Sequence, residues 1–459
     1  MGLSVVILAG GEGTRMRSKT PKVLHPLAGK PLLAHVIDTV QGLQAEQIIV
    51  VRGHMGDHVK SVMDGYDITW VEQRERLGTG HAVQQTLPHL NTANQVLILY
   101  GDVPLIGLET LSHLVDSTGP GQLGLLTAVV KDPTGLGRIV RDEYRQVHNI
   151  IEEKDASDLE KQIKEINTGI YCVPDHLLKT WLPKLNNHNA QQEYYLTDIV
   201  GFAREDQVGV NVSKPKAIEE IYGANSRAEL AKMEAIYQRW QAETLMASGV
   251  TLMDPARVDV RGQVTPARDC IIDVNVVLEG DVQLAEDCYI GPFCTLKNVI
   301  LAPGAVVNSH CVLEDCVVGE NAEVGPFARI RPGTQLDTAT KVGNFVEIKN
   351  AQLGSGTKVN HLSYIGDAQI GASVNVGAGV ITCNYDGANK HQTIIESGAF
   401  IGSDCQLVAP VTVGKNATVG AGSTITKSVP DGHLALSRVK QTEIADWQRP
   451  QKATCEEVE

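Results

Sequence analysis

The sequence predicts two kinds of domain in one chain: an α/β domain with a mostly parallel sheet, followed by a parallel β-helix. Three observations predict this. Short apolar runs alternate with helical patterns over residues 1–225, and an aliphatic residue recurs every six positions over much of residues 250–459. One long helical pattern, residues 226–249, separates the two regions. A chain of 459 residues is also too long for one ordinary core.

The apolar runs of the first region are typical of strands buried on both faces. They are short and rich in Val, Ile and Leu, and helical patterns such as residues 31–41 and 78–87 lie between them. Alternating strands and helices favour a Rossmann-like, largely parallel sheet covered by helices. The candidate strands are residues 4–9, 47–51, 95–100 and 123–130.

The six-residue repeat predicts the β-helix. Neither a helix nor an alternating strand requires this period, whereas each six-residue side of a parallel β-helix sends one aliphatic residue inward. We expect the coil to be interrupted at residues 360–364 and 383–390. The in-phase positions are Val318, Val324, Ile330, Leu336, Val342 and Ile348, then Ile395, Ile401, Leu407, Val413, Val419 and Ile425.

Residues 226–249 are predicted to form a connecting helix. Ser226 and Glu229 have the spacing of a capping box, and Gly249 supplies the end. Such a helix would be about 33 Å long, enough to separate two domains. An ordinary surface helix of the first domain is the alternative. Its predicted apolar stripe is Leu230, Met233, Tyr237, Trp240 and Thr244.

Composition restricts the function classes. Hydrophobic and charged contents of 42% and 20% are typical of a globular protein, and a net charge of −14 argues against a nucleic-acid partner. The N-terminal apolar run is too short for a secretory signal or a membrane span and has no basic flank. The nine cysteines include no Cys-x-x-Cys pair, which favours reduced thiols in a cytoplasm.

A glycine-rich turn after the first strand predicts an anion site. Residues 10–16, Gly-Gly-Glu-Gly-Thr-Arg-Met, would bring backbone N–H groups close to phosphate oxygens. The turn lacks the Gly-Lys-Ser/Thr of a Walker loop, and Met16 stands where a dinucleotide motif needs glycine. Arg15 and Lys22 could neutralise a triphosphate. A mere tight turn is the alternative.

Asp102 follows the strand of residues 95–100, at the sheet edge where open α/β folds bind ligands. A carboxylate there suits Mg²⁺, which takes one or two protein oxygens together with substrate phosphates. The alternative is a turn-capping aspartate.

The glycine-rich turn with Pro21 and Lys22 resembles the signature of nucleotidyltransferases that activate sugar 1-phosphates. Further motifs occur in the order found in the bifunctional N-acetylglucosamine-1-phosphate uridyltransferases/glucosamine-1-phosphate acetyltransferases, and the resemblance covers essentially the whole chain. Gly10 and Glu12 depart from the commoner Ala and Lys, and we expect Glu12 to point to solvent. The motifs are residues 77–80, 101–104, 137–138, 152, 167–169 and 223–225.

The resemblance implies that UTP and N-acetylglucosamine 1-phosphate react in the first domain. The sugar phosphate is already an anionic nucleophile, so catalysis consists of in-line alignment and neutralisation of the departing pyrophosphate. Arg15 and Lys22 would be catalytic, and Asp102 and Asn225 would hold Mg²⁺. The implied uridine contacts are Leu8, Gly11, Gln73, Gly78, Thr79 and Tyr100, and the implied sugar contacts include Gly137, Glu152 and Asn167.

His361 is the candidate base of the second domain. A lone histidine in a repeat protein is more often a packing or surface residue. Glu347, however, lies fourteen residues earlier, roughly one coil away, which predicts an imidazole–carboxylate pair that raises basicity. The segments GNFVEIK, HLSYIGDA, GAGVITCNYDG and GSD resemble the acetyltransferase half of the same family.

That resemblance implies that His361 takes a proton from the amine of glucosamine 1-phosphate, which attacks acetyl-CoA. It also implies a left-handed β-helix and a homotrimer with acetyl-transfer sites at subunit boundaries. Acceptor contacts would be Arg331, Lys349, Tyr364, Asn375 and Lys390; Glu347 and Asn384 would tune the base; acetyl-CoA would contact Ala378, Tyr385, Ser403, Ala421 and Arg438.

Two other classes of protein combine similar domains. In single-activity sugar nucleotidyltransferases the repeat domain only regulates or oligomerises, and His361, Lys349 and residues 383–390 argue against this. Translation-initiation exchange-factor subunits join both domain types without sugar chemistry, and the intact loop with Lys22, Asp102 and Asn225 argues against that.

Overall fold

The computed structural model describes residues 2–11, 13–53, 56–91 and 95–450. The chain divides into two compact units, Met1–Gln241 and Ala242–Glu459. The predicted orientation of Glu12 and the tail beyond residue 450 lie outside the described residues. The predicted fold class, an α/β domain followed by a parallel β-helix, is confirmed.

The first unit is built on one mixed, mainly parallel sheet. Its strand order is β11-β7-β10-β6-β1-β4-β5; β1 runs parallel to β4 and β6, whereas β10 is antiparallel to both neighbours and carries the β8–β9 hairpin. The strands are β1 Leu3–Ala9, β2 Pro26–Leu27, β3 Lys30–Pro31, β4 Gln47–Arg52, β5 Thr69–Glu72, β6 Gln95–Tyr100, β7 Leu123–Val129, β8 Arg138–Arg141, β9 Val147–Ile151, β10 Glu165–Pro174 and β11 Val210–Ser213.

Helices cover both faces of this sheet. Every residue of β1 is buried: Val6 and Leu8 belong to the core on one face, and Val5 and Ile7 to the core on the other. This explains why the strand is a continuous apolar run. The helices are α1 Leu32–Gln41, α2 Gly56–Val62, α3 Thr79–Gln84, α4 Leu108–Ser117, α5 Asp175–Trp181, α6 Ile199–Glu205 and α7 Arg227–Ala247.

Helix α7 is 21 residues long and differs in detail from its sequence pattern. Met233 is buried as expected, but Thr244 is exposed, and Ile236 and Leu245 are buried instead. At its start the Ser226 hydroxyl accepts a hydrogen bond from the Glu229 N–H, whereas the Glu229 carboxylate accepts from Asn225 N–H at 2.7 Å. Only the first hydrogen bond of a capping box is therefore formed. The Glu229 carboxylate bonds the N–H of Asn225 instead, and so holds this residue in place.

The second unit is a parallel β-helix with three faces per coil. The first face contains residues 251–252, 271–272, 289–290, 306–307, 323–324, 341–344, 358–361, 375–376, 400–401, 418–419 and 434–435. The other faces contain residues 258–266, 276–284, 295–301, 312–318, 329–330, 334–336, 347–349, 352–353, 364–366, 368–370, 381–383, 393–395, 406–408, 411–413 and 424–425.

One aliphatic core fills this β-helix. The twelve positions of the six-residue repeat are all buried within it, which confirms the inward direction predicted for them. Coils pair in register, for example Ile330 with Ile348 and Val342 with Val359. The same inward positions therefore stack through the whole prism.

Only one of the two expected interruptions is real. Residues 360–364 form an ordinary corner, because Val359 and Ile365 keep the six-residue spacing and Leu362 takes the left-handed conformation (φ 50°) found at other corners. The expectation of a break there was wrong. The second is a true insertion: Asn375 pairs with Phe400, so this coil contains a loop around residues 384–391.

Within the described part of the chain, no helix has both the length and the apolarity needed to cross a membrane.

Candidate active sites

The glycine-rich turn folds over Lys22. Gly13 has φ of 63°, and a Cβ on it would lie 2.7 Å from Lys22 Cβ, so glycine is required there. Lys22 begins the short turn Lys22–Leu24, and the next two residues are buried. The backbone of Lys22 is thus held firmly under the turn.

Lys22 meets both predicted metal ligands. Its Nζ donates to Asn225 Oδ1 at 3.1 Å and forms an ion pair with the Asp102 carboxylate. The Ala224 N–H donates to Asp102 C=O at 3.1 Å and so brings the chain around Asn225 to the end of β6. Two oxygens from distant segments converge on one cation, which is a donor set that also suits Mg²⁺.

A cleft of about 970 Å³ lies beside this cluster. Leu8 and Tyr100 are in register on β1 and β6 and form part of its floor. Gln73 donates to Gly78 C=O at 3.1 Å, and Gly78 (φ 110°) leaves no room for a side chain against Tyr194 C=O. Of the predicted residues, the cleft is lined by Leu8, Gly11, Lys22, Gln73, Gly78, Thr79, Tyr100, Asp102 and Asn225.

Arg15 lines a second, larger cleft of about 1870 Å³ that also contains Asn167 and Asn225. Asn225 therefore borders both cavities. A ligand that spans them would meet Lys22 in one cleft and Arg15 in the other.

The predicted sugar contacts also come together. The Asn167 N–H donates to Gly137 C=O at 2.9 Å, and a Cβ on Gly137 would lie 3.4 Å from Glu152 Oε1. Burial, followed by the charge of Asp155, raises the pKa of Glu152. The same two causes raise the pKa of Asp198 to about 6.

His361 is exposed at the end of strand 358–361, where its Nδ1 hydrogen-bonds Asn344 Oδ1 at 3.1 Å. The predicted pair with Glu347 is wrong in register: Asn344 lies opposite His361, and Glu347 lies opposite Tyr364. Glu347 instead accepts from Arg331 at 2.8 Å. The reason is that coils here advance by 17 residues, so a residue only fourteen positions before His361 lies three positions beyond its partner.

Cations gather on a different face of the prism, the one that contains residues 329–330 and 347–349. Arg331 and Lys349 occupy one position in successive coils, because Ile330 pairs with Ile348. The Lys349 ammonium, beside Lys390, lowers the pKa of Lys390. Two adjacent like charges indicate a site for an anion.

Asp367 is a carboxylate close to these lysines. Asn350 donates to it at 2.6 Å, and Asn384 donates to its other oxygen. Asn384 therefore contacts Asp367 within this chain, and its role in tuning the base stays a prediction. The Tyr364 ring lies over Gly366, where a Cβ would be 2.5 Å from the phenol oxygen.

The corner that carries His361 changes character along the prism. On the coils before His361 it bears bulky side chains, and from Ala378 onward it bears small ones. The hydrogen bonds Asp404 N–H to Ala378 C=O (2.7 Å) and Gly422 N–H to Ser403 C=O (2.9 Å) stack Ala378, Ser403 and Ala421 in successive coils. Small residues leave an open strip along this edge.

Arg438 donates to Ala421 C=O at 3.0 Å and so lies at the end of the strip. Tyr385 stands 61% exposed on the inserted loop, where its hydroxyl donates to Gly387 C=O at 2.6 Å. Asn375 is on the first face, paired with Lys358 and Phe400.

The bulky part of the same corner forms an aromatic ladder, which we define as Phe293, His310, Phe327, Phe345 and Leu362. The first four rings stack with centroids 4.9, 4.7 and 5.5 Å apart. All five residues have positive φ, a conformation that costs a bulky residue about 1–2 kcal/mol. Its phenylalanines and Leu362 are 48–64% exposed.

Sequence reasoning missed several residues of these sites. Arg76 and Glu193 line the first cleft, and Lys131 and Tyr222 line the second. Asn344 could have been found from the 17-residue spacing that places it opposite His361, and the same spacing relates Asn350, Asp367 and Asn384.

Comparison with known proteins defines the class first. Residues 5–162 match the MobA-like NTP transferase domain, residues 260–337 the GMPPB C-terminal domain, and residues 392–427 the bacterial transferase hexapeptide (six repeats). The chain thus joins a nucleotidyltransferase domain to a hexapeptide-repeat domain.

Relatives then identify the family. The chain is 55% identical to the bifunctional protein GlmU of Stutzerimonas stutzeri, over 98% of this chain and 100% of that protein. It is 53% identical to those of Acinetobacter baumannii and Marinobacter nauticus, over 98% of this chain and 99% of each.

The chain belongs to the family of bifunctional GlmU proteins, which confirms the family predicted from its motifs. It is an acetyltransferase and a uridyltransferase that makes UDP-N-acetylglucosamine, with nucleotide and acetyl-CoA substrates.

Proposed function

We propose that residues 1–225 carry uridyl transfer, that residues 250–459 carry acetyl transfer, and that residues 226–249 connect them. The observation that carries the first assignment is the convergence of Lys22, Asp102 and Asn225 beneath the glycine-rich turn. UTP would bind in the cleft lined by Gln73, Thr79 and Tyr100, with its phosphates directed toward Lys22 and Arg15.

Asp102 and Asn225 would hold Mg²⁺, with phosphates and water as its remaining ligands. When bound, the ion supplies neutralisation of phosphate charge. Gly137, Glu152 and Asn167 would orient N-acetylglucosamine 1-phosphate in line with the α-phosphorus of UTP. Lys22 and Arg15 would stabilise the charge that develops on the departing pyrophosphate.

For acetyl transfer, His361 is the general base. Asn344 holds Nδ1 and so leaves the Nε2 lone pair to take a proton from the amine of glucosamine 1-phosphate. The amine nitrogen bonds to the acetyl carbonyl carbon while the C–S bond breaks and the thiolate of coenzyme A leaves. The cations at Arg331, Lys349 and Lys390 would bind the sugar phosphate.

Acetyl-CoA would lie on the strip of small residues, Ala378, Ser403 and Ala421, with Arg438 at its end and Tyr385 beside it. The change from bulky to small side chains beside His361 supports this placement, because the strip has room for a long, thin ligand.

We also propose that the protein is a homotrimer that contacts its copies through the aromatic ladder. Exposed stacked rings held in a costly conformation are difficult to explain on an isolated surface. The ladder ends at Leu362, next to His361. A second copy bound to the ladder would therefore also form one side of the acetyl-transfer site.

A cytoplasmic location is the last part of the proposal. The cysteines in the described residues are all free thiols, and most of them are buried in the prism core, which is consistent with a reducing compartment.

Two assays on one set of variants test the assignment of sites. Thiol release from acetyl-CoA with glucosamine 1-phosphate reports acetyl transfer, and pyrophosphate release from UTP reports uridyl transfer. We expect Arg15→Ala to lower uridyl transfer about 10²–10³-fold and leave acetyl transfer unchanged, since one charge-stabilising donor is lost. Lys19→Ala, an exposed cation after the same turn, is the matched control. Equal loss of both activities would contradict separate sites.

A further inference from the structure

Lys22 occupies the position between the two oxygens that would receive a metal ion. Its Nζ is bonded to Asn225 Oδ1 and paired with the carboxylate of Asp102. Both side chains of the ion pair are largely buried, at 13% and 14% exposure. The ammonium therefore neutralises Asp102 where water does so poorly.

The surroundings of Lys22 allow its ammonium, but not its backbone, to move. The backbone is fixed by the turn Lys22–Leu24 and by contact of its Cβ with Gly13. The Nζ end faces Gly11, where even an added Cβ would be 4.0 Å away, and it borders the 970 Å³ cleft. A four-carbon stem can swing the ammonium from Asp102 into this space.

We propose that Lys22 is a place-holder cation: it closes the Asp102–Asn225 site while nucleotide is absent, and it moves to the triphosphate when a divalent cation enters. This inference rests on the proposed assignment of Asp102 and Asn225 as metal ligands. It gives Lys22 a second role, in controlling when the site accepts a metal, besides its role in stabilising pyrophosphate.

The consequence is coupling between metal and nucleotide. A bare divalent cation has to displace an ammonium that is already paired, and it brings no anion to receive the displaced charge. A triphosphate supplies that partner. Metal and UTP therefore raise each other's affinity, and the coupling is reciprocal.

Mn²⁺ binding followed by electron paramagnetic resonance of the free ion tests this without turnover. The full-length protein is titrated with Mn²⁺, alone and with a non-hydrolysable UTP analogue. We expect Mn²⁺ alone to bind weakly to the unsubstituted protein. It should bind at least about tenfold more tightly to Lys22→Met, because a neutral side chain of similar length does not compete with the ion. Lys22→Arg keeps the charge and should remain weak.

The coupling itself is the second readout. The UTP analogue should strengthen Mn²⁺ binding strongly in the unsubstituted protein and much less in Lys22→Met. Thermal melting of each variant, with and without Mn²⁺, checks folding: the melting temperature of Lys22→Met should fall without metal, because Asp102 loses its partner, and should recover with it.

The same measurements distinguish a failure of the place-holder role from a failure of the metal-ligand assignment. If the unsubstituted protein binds Mn²⁺ alone as tightly as Lys22→Met does, and Asp102→Asn removes that binding, the place-holder role is wrong and the metal site stands. If Asp102→Asn leaves Mn²⁺ binding intact in the Lys22→Met background, the assignment of the metal ligands itself is wrong.

Discussion

The proposed uridyl-transfer cleft and the proposed acetyl-transfer face differ in how far their residues are buried and paired within one chain. In the cleft, Lys22 is largely buried and already paired with Asp102 and Asn225. On the β-helix, His361 is exposed, and the Lys349 ammonium lies beside that of Lys390.

Topology explains the difference. Loops at the carboxyl edge of a sheet converge on a concave site, so a single chain can surround a ligand. A straight prism presents flat faces and convex corners, which leave a bound substrate open to solvent on one side. One candidate site is therefore preorganised by its own fold, whereas the other is completed, on the proposal made above, by a second copy.

Removal of the base should have the largest effect and separate the two sites most sharply. We expect His361→Ala to lower acetyl transfer about 10²–10⁴-fold, the usual contribution of a positioned base, and to leave uridyl transfer near its original rate. The thiol-release and pyrophosphate-release assays measure the two rates. His433→Ala, which changes a histidine in a turn of the last coils, is the control. Retained acetyl transfer in His361→Ala would remove His361 from the mechanism.

Disruption of the aromatic ladder should lower acetyl transfer indirectly, because it would separate copies of the protein from one another. Phe327→Asp places a charge in the middle of the stacked rings, which we expect to dissociate the proposed trimer and to lower acetyl transfer at least about tenfold, with uridyl transfer retained. Light scattering on a sizing column gives the oligomeric state.

The control for this variant is Ile300→Asp, an exposed aliphatic residue on a strand rather than on the ladder. A trimer that persists with the charge at Phe327 would show that the ladder is not the contact between copies.

Loss of the hydrogen bond to the base should have a smaller effect. Asn344→Ala frees Nδ1 of His361, and we expect kcat of acetyl transfer to fall roughly three- to tenfold while KM for acetyl-CoA stays constant, which corresponds to one ordinary hydrogen bond. Gln335→Ala, exposed on another face, controls for surface substitution. A change confined to KM would argue that Asn344 contacts substrate instead.

The smallest expected effect concerns stability in the first unit. Burial raises the pKa of Asp198 to about 6, so the folded state holds a proton that the unfolded chain has released, and this residue's contribution makes stability fall as pH rises from about 4 to 6. Asp198→Asn removes that penalty. Because the group is partly exposed, we expect a gain of about 1 kcal/mol at pH 7.5 and little at pH 4.

Urea unfolding followed by tryptophan fluorescence, at both pH values, measures this difference. An equal gain at pH 4 would mean that the effect comes from packing and not from charge.

The second unit was predictable to a large extent, because its repeat is local. The inward residues, from Val318 to Ile425, follow from a period that needs no knowledge of distant contacts. The register was not predictable from the six-residue period alone, because the coils advance by 17 or 18 residues. That difference placed Asn344, and not Glu347, opposite His361.

In the first unit, the strands and the glycine-rich turn were likewise evident from local apolar runs. The antiparallel position of β10 was not, because it depends on pairing between segments far apart in the chain. The contact of Glu229 with Asn225 also departed from the expected capping box, since only the folded geometry decides which N–H the carboxylate reaches.

Periodicity and the order of motifs are properties of the unfolded chain as well, so they were enough to predict the two architectures and the family. Only the folded chain shows which polar side chains meet: Lys22 with Asp102 and Asn225, and Lys349 with Lys390. Each of these pairs joins segments distant in sequence, and their contact depends on register and loop closure, which no local pattern encodes.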